Sequence, residues 1–184
     1  MGIVSPGRVP HNIMKALVRL KAHSPLDYEK FRIEFYGGSN LIKEAVKSLY
    51  PSIESAFFFY DSVPYLESLK LIVEADYLLF AETSSKNTLS AQGILTTKLF
   101  EYLGSGRPVL GDISDQALAG SFLKHGNKYN TVSVQEDVFF ELFCMPEFYS
   151  RRENLISEFT HALSRQSQAF QYIDVIRLVK KAGS

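Results

Sequence analysis

Short, continuous apolar runs alternate along this chain with segments whose apolar residues recur every third or fourth position. Recurrence at that spacing marks one face of a helix, and a continuous run marks a strand covered on both faces. The helical spacing predicts helices over 12–22, with Ile13, Ala16, Leu17 and Leu20 on one side, and over 40–49, with Asn40 as cap and Leu41, Ala45, Val46 and Leu49 inward. Further helices are predicted over 65–74, 116–125, 138–144 and 151–181, the last broken near 166–169. The apolar runs predict strands over 31–36, 56–60, 77–80, 108–110 and 131–134, with Ile3 and Val4 as the stub of an earlier one.

The most informative stretch is 93–110. Leu99, Phe100 and Leu103 make an apolar stripe, while Lys98 and Glu101 share another face. Thr96 and Thr97 suit the start of a helix, and Gly104 or Gly106 suits a left-handed stop before the strand at 108–110. Strands alternating with amphipathic helices predict an α/β fold, a doubly wound, Rossmann-like parallel sheet flanked by helices. In such sheets ligands bind beyond the carboxyl ends of the strands. That edge would gather Gly7 and Arg8, Gly37 and Gly38, Asp61 and Ser62, and the loop from Glu82 to Thr97. A helix opening there offers free N–H groups and the positive end of its dipole to a phosphate. A carboxylate one turn further in can accept hydrogen bonds from sugar hydroxyls.

Composition narrows the function classes. Of 184 residues, 46% are hydrophobic and 22% charged, which suits one globular domain with a real core. The 20 basic and 20 acidic side chains cancel, so no overall field favours nucleic acid. Cys144, the single cysteine, allows no internal disulfide and fits a reducing compartment. His11, His23, His125 and His161 lack metal-ligand spacing. No apolar run reaches the about 20 residues of a membrane span. The expected location is cytoplasmic, with peripheral attachment at the inner face of a membrane left open.

Residues 97–110, Thr-Lys-Leu-Phe-Glu-Tyr-Leu-Gly-Ser-Gly-Arg-Pro-Val-Leu, resemble the donor-site segment of group 1 nucleotide-sugar glycosyltransferases. Those enzymes have two Rossmann-like domains facing across a cleft, the GT-B arrangement, and the likeness extends more loosely over residues 7–152. It implies that this chain is the C-terminal, donor-binding half. The partners implied are a nucleotide-diphosphate sugar as donor substrate, a glycan or lipid-linked acceptor, and an N-terminal domain, absent from this chain, that carries most of the acceptor site. No metal or separate cofactor is implied, and the catalytic base stays unassigned. An alternative is a non-catalytic nucleotide- or partner-binding domain on the same scaffold.

The resemblance assigns roles residue by residue. Glu101 would hold the donor ribose; the competing reading is a solvated surface carboxylate in intrahelical contact with Lys98. Thr96 and Thr97 would contact the diphosphate or simply cap the helix. Arg8 and Lys98 would supply cations. Gly37 would let the backbone approach the nucleotide, and Val63 would contact the base through its backbone. Many members carry a second carboxylate eight positions before the one matched by Glu101; here that position is Gly93. Glu82, in the preceding loop, is the nearest substitute.

Overall fold

The computed structural model describes residues 8–82, 95–150, 158–162 and 164. Helix α1 (His11–His23) and the short α2 (Pro25–Tyr28) precede strand β1 (Ile33–Tyr36) and helix α3 (Asn40–Leu49). A 3-10 turn (Pro51–Ala56) leads into β2 (Phe57–Tyr60), followed by α4 (Tyr65–Glu74) and β3 (Leu78–Ala81). Helix α5 (Thr97–Ser105), β4 (Val109–Asp112), α6 (Leu118–Gly126), β5 (Thr131–Ser133) and α7 (Glu136–Cys144) continue the alternation. A second 3-10 turn (Pro146–Ser150) and α8 (Glu158–Ala162) follow. Ile3 and Val4, most of the loop after Glu82, Gly93, and most of the helix expected over 151–181 lie outside the described residues.

Every strand pair among the described residues is parallel, as the alternation of strands and helices predicts. The expected single sheet is not what forms among the described residues. The strands bond as two small sheets, ordered β1-β2 and β3-β4-β5. One core nevertheless runs under both. It joins Ile13, Leu17 and Leu20 of α1, Ile42 and Val46 of α3, Phe57 of β2, Leu110 of β4, and Phe139 and Phe143 of α7. A second core lies on the other face of β3-β4, where Leu78, Phe80 and Val109 meet Leu99 and Leu103 of α5 and Leu123 of α6. Alternate residues of β3 and of the start of β4 thus enter different cores, which is why Leu78–Ala81 and Val109–Leu110 are continuous apolar runs.

The β1-β2 sheet behaves differently. Ile33, Phe35 and Phe59 pack on the first core. Glu34 and Tyr60, on the other face, are exposed. The expectation of strands covered on both faces therefore fails for β1, whose sequence does alternate. Arg32 lies 4.0 Å from the Phe58 ring centre and donates to Glu34 Oε1 at 2.7 Å, while the Tyr36 and Tyr60 rings stack across the pair at 4.9 Å. Among the described residues β2 bonds to β1 alone.

Two local expectations need correction. Ser39, not Asn40, occupies the cap position of α3, and Leu49, the last residue of that helix, is 62% exposed. Phe100, placed with Leu99 and Leu103 in one stripe, turns outward and meets the Phe122 ring edge-on at 6.2 Å. One position corresponds to about 100° of helix, and in α5 Leu99 and Leu103 take the inward arc, which leaves Phe100 41% exposed.

Candidate functional site

Helix α5 runs from the end of β3 back to the start of β4. In a parallel pair this sets its N-terminus at the carboxyl edge, where α/β sheets bind ligands. Thr96 has extended backbone and caps the helix: its Oγ1 accepts from Leu99 N at 3.4 Å. Of the two glycines proposed for the stop, Gly106 takes the left-handed conformation, with φ 70°. The backbone N–H groups of Thr97 and Lys98 have no acceptor among the described residues. These are two of the donors that every helix start leaves over.

The side chains one turn in are already engaged with each other. Lys98 Nζ donates to Glu101 Oε2 at 3.1 Å and lies 5.7 Å from the Tyr102 ring centre. The Glu101 side chain is 13% exposed. The expected contact with Lys98 is present, but the carboxylate is not the solvated surface group that the competing reading makes it, and Oε1 has no donor among the described residues. Burial, with the charge of Glu101 added, pushes the Tyr102 phenol up to about 12.

Arg8 and Glu82 meet at the same edge, Nη2 to Oε1, at 3.5 Å. Glu82 is the more enclosed partner. Burial raises its carboxyl above the ordinary value, and Arg8 draws it part of the way back. The two residues are distant in sequence: Arg8 precedes α1, and Glu82 follows β3. Gly37 is left-handed at φ 70° and donates its N–H to Tyr60 O at 2.9 Å, which ties the ends of β1 and β2 together. Val63 is half-buried in the turn that enters α4. The residues singled out therefore follow the carboxyl ends of β1 (Gly37), β2 (Val63) and β3 (Glu82 and the start of α5), and the side-chain pairs that form among them are Lys98 with Glu101 and Arg8 with Glu82.

One residue at this edge carries no sequence signal. Asp112, the last residue of β4, is 7% exposed. Its Oδ2 accepts from the backbone N of Asn12 at 2.8 Å and its Oδ1 from Asn12 Nδ2 at 2.7 Å. Asn12 is the second residue of α1, so a carboxylate from β4 fills that helix start. Burial raises the Asp112 carboxyl, and the bonds from Asn12 and Ile13 and the nearby His11 counter it. His11 Nδ1 lies 2.9 Å from Tyr50 Oη. Burial and the charge of Asp112 raise the Tyr50 phenol in turn. Glu82 N donates to Asp112 O across β3-β4 at 3.4 Å, so Asp112, Glu82 and Arg8 are neighbours.

Among the described residues no group of His, Cys, Asp and Glu is arranged to hold a metal ion, and no helix is long and apolar enough to cross a membrane. No protein-family model matches this chain, and a search of curated proteins returns no match.

Proposed function

We propose that this chain is the donor-binding domain of a GT-B glycosyltransferase, taking a nucleotide-diphosphate sugar for transfer to an acceptor hydroxyl in glycan or polysaccharide synthesis. The observation that carries the reading is the start of α5. It opens at the carboxyl edge of a parallel sheet with two backbone donors that no described residue takes, a lysine beside them, and a carboxylate one turn in. Backbone N–H groups and the helix dipole suit a diphosphate. A phosphate that takes the Lys98 ammonium releases Glu101, whose two oxygens can then accept from the ribose hydroxyls. Charge building up on the leaving diphosphate meets fixed donors, the kind of stabilisation that lowers a barrier most. The resemblance over residues 97–110 supplies the substrate class.

A second reading, a non-catalytic binding domain on the same scaffold, is favoured by one observation. Each cation named for the diphosphate is paired with an acid named for the sugar side: Arg8 with Glu82, and Lys98 with Glu101. Calorimetric titration of UDP, GDP and dTDP separates the two. A donor domain should bind one of them at micromolar to millimolar strength, and Glu101→Ala should weaken that binding by about 1–3 kcal/mol, the usual worth of a charged acceptor. Absence of binding by all three sinks the donor-domain reading.

A further inference from the structure

We propose that Asp112 is a positioning residue for the diphosphate, acting through Arg8 rather than touching the ligand; the inference rests on the donor-domain reading above. The segment that carries Arg8 into α1 has no cap of its own. Its cap position is Pro10, which offers no side-chain acceptor to the helix. The acceptor comes instead from a residue 100 positions further on, through paired bonds at 2.7 and 2.8 Å. A carboxylate gripping both the backbone and the side chain of Asn12 fixes where α1 begins. It thereby fixes Arg8, which stands three residues before the helix and reaches Glu82 beside the same strand end.

The same contact has a second effect. A helix start filled by a buried carboxylate repels phosphate, because the N–H groups are taken and the local charge is negative. Helix α1 is closed to an anion in this way, whereas at α5 the N–H groups of Thr97 and Lys98 have no acceptor among the described residues. Asp112 thus closes the start of α1 and, by the same contact, holds the segment that carries Arg8.

The test is a double-mutant cycle on the full chain, with whichever of UDP, GDP and dTDP the wild type binds as probe. Asp112→Asn keeps the shape and removes the charge. It should weaken binding about three- to tenfold, the size of coupling expected between residues in one network. In an Arg8→Ala background the same substitution should cost nothing further. Asn12→Ala removes the other half of the grip, should reproduce the loss, and serves in place of Asp112→Asn should that variant not fold. Hydrogen exchange adds a readout independent of ligand: the Asn12 amide should lose protection in Asp112→Asn while that of Leu110, inside β4, keeps it. Unchanged affinity in Asp112→Asn, or an undiminished loss in the Arg8→Ala background, overturns the positioning role alone. A wild type that binds none of the three nucleotides overturns the donor-domain reading and this inference with it.

Discussion

Helices α1 and α5 open at the same edge and solve the same problem in opposite ways. Both leave backbone donors without partners in their first turn, as every helix does. At α1 the remedy is distant and tight: Asp112 reaches across from β4 and accepts at 2.7 and 2.8 Å. At α5 it is local and loose: Thr96 accepts from Leu99 N at 3.4 Å, and Thr97 and Lys98 N–H have no acceptor among the described residues. A start closed by a buried acid contributes to holding the fold together. One left open beside a lysine stays available to an anion. The difference between them lies in where the acceptor comes from: the end of β4 for α1, whose cap position is Pro10, and the helix's own Thr96 for α5.

Three experiments break or sharpen this contrast. The largest effect is expected from Asp112→Ala, which strands the donors of Asn12 at a buried site. A loss of about 2 kcal/mol in chemical denaturation is expected, from an unfilled helix start and unpaired polar groups. Thr96→Ala should cost less, about 0.5–1 kcal/mol, because the bond it removes is long and water can reach the donors. Equal losses in the two variants would erase the distinction between a closed and an open start.

The smallest effect is a pH dependence. The folded chain holds the Asp112 proton more tightly than an ordinary aspartate does, and Glu82 behaves likewise. A raised carboxyl contributes stability that is complete below the ordinary carboxylate range and is lost as pH rises through the folded value. Asp27 and Glu34, which are lowered, work in the other direction. The difference in melting temperature between wild type and Asp112→Asn isolates the Asp112 share. The wild type should lose ground to the variant as pH climbs from below the ordinary aspartate value through the raised one. A difference that stays flat across that range would show that Asp112 feels no net burial.

What the sequence revealed depended on how locally each feature is determined. The bounds of α4 follow directly from apolar spacing between Pro64 and the strand at Leu78. The two ends of α5 follow from Thr96 and Gly106, whose backbone preferences are their own. Phe100 was misplaced because amphipathic spacing tells which residues are apolar more securely than which of two neighbours turns inward. Leu49 was misplaced because the last turn of a helix is free of the packing that sorts the earlier ones. The division into two sheets, and the solvent-facing side of β1, depend on which strands become neighbours. Spacing within a strand says little about that. At the site, pairing was legible where sequence neighbours meet, as with Lys98 and Glu101. The grip of Asp112 on Asn12 joins residues with no local signal, and only the fold brings them together.

The aromatic strand β2 has a consequence for handling the protein. Phe57, Phe58, Phe59 and Tyr60 form a short ribbon of high strand propensity with one bonded neighbour among the described residues. Such a ribbon is a template on which a second copy can add by backbone bonding, the first step toward precipitation. Arg32, drawn over the Phe58 ring and paired with Glu34, sets charge across its outer face. Solubility would then depend on a gatekeeper outside the ribbon itself, one arginine shielding a patch its own strand cannot hide.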